Sequence, residues 1–255
     1  MTITSKYAIL DLQNDVRQRT KWGFDYLKYD WKETDKFNAD IMRKTLDEST
    51  RDFVYCLSVY ARLEEADYLM ENVNSWRSND DTNGAWEREK AVFGTYFDWE
   101  KYTGYGHWFD LDMLSIGDGL FPCMFTDDEK LFQYSARALL CSPIQLSCTF
   151  EKATEFELDL YCNEEIIAVN QDALLAPAKT VLSNDGLYIF EKPLDGGDRA
   201  IGIFNTDDKT RTVEYPLHEK AVLRDLWMKE DVGVTNAVKA EIEPHSARIY
   251  RIRKA

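Results

Sequence analysis

Apolar and polar positions alternate in two different rhythms along this chain, and the change falls near residue 175. Before it, stretches with apolar residues at helical spacing are separated by short dense runs rich in aromatic and β-branched residues. Residues 11–20, with Leu12, Val16 and Arg19 in step, predict a short helix, and residues 22–31 (Trp-Gly-Phe-Asp-Tyr-Leu-Lys-Tyr-Asp-Trp) predict a buried strand. Residues 38–48 place Ile41, Met42, Thr45 and Leu46 on one helical side, and residues 53–60 read as a second buried strand. A helix over 63–72, a short strand over 73–77, a polar loop over 78–84 and a helix over 86–99 follow. Beyond a turn at residues 104–107 come a strand over 108–114, a helix opened by the capping box Thr126-Asp127-Asp128-Glu129 and running to Leu140, a strand over 142–147, and mostly helical residues 155–172.

Five β-segments separated by four helices are the pattern of parallel βα units. Their natural closed form is an eight-stranded barrel, so the expectation is an α/β fold with a partial (β/α)8 TIM barrel over residues 1–174. After residue 175 the period becomes two. Asp185-Gly186 and Asp195-Gly196-Gly197 are hairpin signals, and short alternating strands are expected over 187–191, 199–206, 211–215, 221–227, 238–243 and 247–253. Residues 175–255 are therefore expected to form an antiparallel β-sandwich domain.

Composition narrows the partners. The chain has 255 residues, 44% of them hydrophobic and 13% aromatic, enough for a sizeable core, and a formal net charge of −15. That charge argues against nucleic acid and anionic membrane surfaces, which call for a basic face. No apolar run approaches the roughly 18 residues of a membrane span. The five cysteines, an odd number without metal-type spacing, read as small buried hydrophobes rather than a disulfide framework. The first residues lack the charge-then-apolar layout of a signal peptide, so either the protein stays inside the cell or its beginning lies upstream.

The candidate chemistry sits where strands end, because barrels present reacting groups at that rim. On the first strand Tyr26, Lys28 and Asp30 share a face, and a lysine beside a carboxylate keeps it ionised, as a nucleophile requires. Read alone, that is a structural ion pair as readily as a reactive one. Ser58 ends the second strand; Arg77, Asp80 and Asp81 follow the third; Trp108, Asp110 and Asp112 mark the fourth. Taken alone, residues 78–82 are a solvated loop. Two well-separated aspartates with aromatic neighbours, however, suggest carbohydrate chemistry by paired carboxylates.

Taken together, these segments resemble the retaining α-galactosidases and α-N-acetylgalactosaminidases of glycoside hydrolase family 27. Residues 22–30 are similar to the family's nucleophile strand, Trp76-Arg77 followed by Asp81 to its Arg-x-x-x-Asp signature, and residues 106–114 to its Gly-Gly-Trp-Asn-Asp-Pro-Asp-Met-Leu segment. Residues 166–172, Arg224-Asp225-Leu226-Trp227 and Pro244-His245-Ser246 continue the likeness. The resemblance implies Asp30 as nucleophile and Asp81, with Asp80 as rival, as acid and then base. It implies Lys28, Ser58, Arg77, Trp108, Asp112 and Met113 as sugar-binding residues of an α-galactoside-type oligosaccharide or glycan. No metal or cofactor is called for, although Asp110 and Asp112 in isolation could suggest a metal.

Departures from the pattern set further expectations. Lys32 stands where many members have a disulfide cysteine, and Ser58 with Ala61 resembles the smaller residues of the α-N-acetylgalactosaminidases. The likeness begins after the family's third strand, so the chain is expected to correspond to strands 4–8 and to need a missing N-terminal segment for full activity; its macromolecular partner is expected to be that segment or an oligomer. If the whole follows its family it is secreted or periplasmic. A second expectation, of another class, is a non-catalytic truncated remnant with a binding or assembly role.

Overall fold

The computed structural model describes residues 6–30, 36–58 and 60–255. Trp31, at the end of the expected first strand, and Lys32 lie outside the described residues. The chain divides into two compact units: the described residues up to Asp80 with Phe97–Asp110, and Asp81–Tyr96 with Leu111–Ala255.

The first unit is a four-stranded parallel sheet with helices in its crossovers. Helix α1 (Lys6–Trp22) runs further than the sequence pattern indicates and takes in Trp22, which the aromatic pattern assigns to the strand. Gly23 explains this: at φ +81° it closes the helix, its N–H bonding to Thr20 O and that of Phe24 to Arg19 O, the paired bonds of a left-handed C-cap. Strand β1 is consequently short (Tyr26–Tyr29) and only Leu27 in it is buried, so it is not the buried strand its aromatic density indicates. Helix α2 (Lys36–Asp47), β2 (Val54–Leu57), α3 (Ala66–Asn72), β3 (Ser75–Trp76) and β4 (Trp108–Phe109) follow, with sheet order β1-β2-β3-β4; α4 (Trp86–Trp99), between β3 and β4 in the chain, belongs to the second unit up to Tyr96.

The register aligns Lys28, Cys56, Ser75 and Trp108 in one row and Tyr29, Leu57, Trp76 and Phe109 in the next. Side chains alternate, so the second row faces the opposite way. That face is apolar: Trp99 stacks on Phe109 at 5.6 Å and lies 5.7 Å from Trp76, while the Tyr55 hydroxyl donates to Ala39 O of α2. Burial raises the Tyr55 phenol well above its ordinary range.

In the second unit α5 (Asp127–Leu139) is opened by the expected capping box and buried along most of its length. Thr154 opens α6 (Glu155–Tyr161) with a second capping box, and what read as one helical stretch breaks at Asn163, whose side chain caps α7 (Glu164–Asn170). The segment over 142–147 is not a strand. It meets the chain through the single parallel bridge Leu114–Leu146; Pro143 has no N–H to give, and Ser142 Oγ is bound to Leu111 N at 2.9 Å. The paired parallel strands thus number four rather than five among the described residues.

The C-terminal region is one antiparallel sheet of order β5-β6-β7-β10-β8-β9: β5 (Lys179–Asn184), β6 (Leu187–Pro193), β7 (Arg199–Asn205), β8 (Arg211–Asp225), β9 (Glu230–Ile242) and β10 (Ala247–Lys254). The two strands expected over 211–227 are one, continuing through a register shift after Pro216, where a proline is tolerated. Ile189, Ile201, Ile203, Val213, Leu223, Val238, Ile242 and Ile252 form its core. The sheet meets the helices through Phe93, Phe132, Phe190 and Phe204, with ring centroids 4.9 to 5.9 Å apart. Arg224 forks onto both oxygens of Glu165 at 2.7 Å, and Trp227 Nε1 donates to Ser135 Oγ. All five cysteines are free thiols, and only Cys56 is buried; Cys123, Cys141 and Cys148 are half-buried and Cys162 is exposed, so the cysteines are not uniformly core residues.

Candidate active site

In the first unit the candidate residues collect on the polar face of the parallel sheet. The residues just past the paired rows stay level with one another: Ser58 N donates to Tyr29 O, Arg77 N to Leu57 O and Asp110 N to Trp76 O, at 3.2, 3.0 and 2.8 Å. Asp30, Ser58, Arg77 and Asp110 are therefore the next layer at the carboxyl ends of four adjacent strands. By the two-residue alternation they share the face of Lys28, Cys56, Ser75 and Trp108.

That layer is graded in exposure. Lys28 on β1 and Asp30 just past its end are open to solvent, whereas Ser58, Arg77 and Asp110 are buried and Trp108 is half-buried. Arg77 Nη2 holds Asn79 O at 3.2 Å, and the Cys56 thiol lies 3.8 Å from Asp110 Oδ2. Burial, with Asp110 adding to it, pushes that thiol up to about 12, so Cys56 stays protonated. Asp80 accepts a hydrogen bond from Tyr60, whose φ of +49° is unusual for an aromatic residue. Desolvation lowers the His107 imidazole from its ordinary value, which keeps it neutral beside Trp76.

The second unit carries Asp81, Asp112 and Met113. Asp81 is exposed, but the loop behind it is not merely solvated, because Thr82 is 1% exposed. Thr82 grips Asp112: its N–H donates to Asp112 Oδ2 at 2.7 Å, and its single hydroxyl proton lies between Met113 O at 3.0 Å and Asp112 Oδ2 at 3.3 Å. The strand expected to run to Leu114 ends at Phe109, and beyond it Asp112 takes φ +67°, which an extended strand does not admit. Thr82, Ser115, Gln133, Glu89 and Arg137, all buried around this loop, carry no sequence motif of their own. Among the described residues no group of three or more His, Cys, Asp or Glu side chains is placed to hold a metal ion. No helix among them is long and apolar enough to cross a membrane.

Residues 4–172 match the alpha galactosidase A family and residues 184–252 the alpha galactosidase C-terminal beta sandwich domain. The chain belongs to the α-galactosidase family, glycoside hydrolase family 27. Alpha-galactosidase 3 of Arabidopsis thaliana is 30% identical over 249 residues, which cover 90% of this chain and 55% of that protein. Among solved structures, a family 27 β-L-arabinopyranosidase of Geobacillus stearothermophilus is 27% identical with a TM-score of 0.89, covering 98% of this chain and 62% of that one. A variant of the same enzyme was solved in complex with arabinose. Alpha-galactosidase I of Mortierella vinacea shares the fold at 22% identity and a TM-score of 0.82, over 95% of this chain and 71% of that one. The chain thus spans little more than half the length of the Arabidopsis α-galactosidase, and its α/β region with an antiparallel C-terminal sheet is that of the family's barrel enzymes.

Proposed function

We propose that this chain carries the reacting groups of a retaining α-glycosidase acting on terminal α-linked galactose or a sugar of the same ring configuration. The observation that supports this reading is the layer of Asp30, Ser58 and Arg77 at the ends of adjacent parallel strands, with Lys28 one step behind Asp30 on the same face. Asp30 attacks the anomeric carbon and forms a glycosyl ester while Asp81, protonated, gives its proton to the departing oxygen. Asp81 as base then takes a proton from water, which attacks the anomeric carbon, releases Asp30 and returns the sugar with its configuration retained. Lys28, Arg77, Trp108, Asp112 and Met113 hold the sugar hydroxyls and ring. The sugar class includes β-L-arabinopyranosides, which have the ring configuration of α-D-galactosides without the C5 hydroxymethyl group. The small residues at Ser58 and Ala61 suit an acetamido group as well.

The test is turnover of aryl α-galactoside, α-N-acetylgalactosaminide and β-L-arabinopyranoside by the 255-residue chain. Asp30→Asn is expected to lower turnover at least about 10³-fold. Asp81→Asn is expected to lose about 10²–10⁴-fold on poor leaving groups, with azide restoring rate on activated ones as a retained glycosyl azide. Turnover indifferent to Asp30→Asn, or none on any of the three sugars either with or without an added segment supplying three βα units, overturns the reading.

A further inference from the structure

Arg137 and Glu89 form an ion pair in which both side chains are 0% exposed. Burying two charges seldom adds stability over apolar packing of the same volume, since both must be stripped of water. What this pair accomplishes is visible in the remaining guanidinium bonds. Nη2 donates to Leu111 O at 2.5 Å and Nε to Asp112 O at 3.3 Å, so one planar fork holds two successive carbonyls of the irregular loop after β4. Gln133, one helical turn earlier on α5, reaches the same loop, its Oε1 accepting from Ser115 N at 2.9 Å and its Nε2 donating to Glu89 Oε2 at 2.8 Å. A single carboxylate on α4 therefore sets both side chains of α5 that grip residues 111–115.

The gripped loop contains Asp112, held at φ +67° in a region residues with a Cβ rarely adopt. Its carboxylate is fixed from the other side by Thr82. Backbone in this conformation persists only where its surroundings over-determine it, and the Arg137 fork is the surrounding group that binds the carbonyls on both sides of the strained φ/ψ pair.

We propose that Arg137 is a positioning residue for sugar binding: through the Leu111 and Asp112 carbonyls it keeps Asp112 and Met113 in the geometry that contacts the sugar, and Glu89 serves to orient Arg137. The inference rests on the glycosidase reading above, in which Asp112 touches substrate. A lysine can satisfy Glu89 but is a point charge on a flexible stem and cannot span Glu89 and two carbonyls at once.

Two variants separate positioning from mere support of the fold: Arg137→Lys, which keeps the ion pair, and the double variant Glu89→Gln with Arg137→Met, which removes both charges together. Each is compared with wild type for melting temperature, for kcat and KM on the best aryl glycoside, and for hydrogen exchange of residues 111–115 against β7. Arg137→Lys is expected to melt within about 3 °C of wild type yet to raise KM about 10-fold with kcat changed less than about threefold. The double variant is expected to show the same rise in KM, with exchange at 111–115 about 10-fold faster and β7 unchanged. KM within about twofold of wild type in Arg137→Lys overturns the proposal whether or not the double variant folds. Loop exchange unchanged in a folded double variant overturns it too. A wild-type chain inactive on every sugar, with or without the added βα segment, overturns the glycosidase reading and the role with it, whereas an active wild type with indifferent variants overturns the role alone.

Discussion

The two sheets of this protein put the same hydrogen-bonding chemistry to opposite uses. The parallel strands are four, four, two and two residues long, and one face of their sheet carries Lys28, Cys56, Ser75, Trp108 and the polar layer beyond. The antiparallel strands run to fifteen residues in β8 and thirteen in β9, and they converge on an aliphatic core. A short strand that ends in charged and hydroxyl side chains sacrifices ladder and core for presentation. The long hairpin does the reverse. The comparison teaches that one face of the first sheet leaves polar side chains at its strand ends while its other face packs, whereas the second sheet turns its strands onto a core closed to water.

The largest stability effect is therefore expected in the antiparallel sheet. Ile203 is 0% exposed at the centre of β7. Ile203→Ala is expected to cost about 2–5 kcal/mol, the lost transfer energy plus the cavity left behind, read by urea unfolding. KM should not move, and a changed KM in the folded variant would break the division of labour between the sheets.

Next comes Gly202, where β7 passes close to α5. A Cβ built on it would stand 2.1 Å from Leu139 Cδ1, so Gly202→Ala forces a buried side chain out of place. The expected cost is about 1–3 kcal/mol in the same unfolding measurement. A neutral result would mean that α5 and the sheet are free to part there.

A smaller effect is expected from pH, at the Lys130–Glu157 ion pair, 3.0 Å long with the side chains 11% and 6% exposed. Burial pushes the Glu157 carboxyl up, but the Thr154 backbone N–H and Lys130 outweigh it and leave it below its ordinary 4.5. Its contribution is thus complete above 4.5 and is lost as pH falls through the lowered value. Burial likewise pulls the Lys130 ammonium down, and Glu157 and Asp127 outweigh it, leaving it above its ordinary 10.5. That contribution is complete below 10.5 and is lost as pH rises through the raised value. Unfolding free energy followed against pH should show both losses in wild type and neither from this pair in Lys130→Met with Glu157→Gln.

The sheets also differ in how far the sequence reveals them. Turns that demand a particular residue are legible: Gly186 and Gly196 sit at φ +80° and +79° where the hairpin signals place them, and the Thr126 capping box closes as its spacing predicts. Alternation likewise puts Lys28 and Asp30 on one face. Strand β5 escapes because its half-exposed pattern is weak, and Trp22 is misassigned because aromatic density outweighs the stop that Gly23 imposes on α1. The φ of Asp112 and the grip of Arg137 are invisible for a different reason. Glu89 and Arg137 are 48 residues apart, and nothing local to either records the other.

The smallest effect is expected from the largest buried side chain of the parallel sheet, and it sharpens the comparison most. Trp76 is 0% exposed, between Trp99 and His107. Its indole Nε1 has no hydrogen-bond partner among the described residues. Leaving a buried donor unsatisfied costs about 1–3 kcal/mol, so Trp76→Phe relieves that cost while giving up part of a ring's packing. Removing a whole aromatic side chain costs about 3–5 kcal/mol, and Phe retains most of it. The two changes nearly cancel, and Trp76→Phe is expected to stay within about 1 kcal/mol of wild type in urea unfolding. A loss as large as that of Ile203→Ala would show that the apolar face of the parallel sheet is packed as demandingly as the C-terminal core, and the contrast between the two sheets would then hold only for the face that carries Asp30.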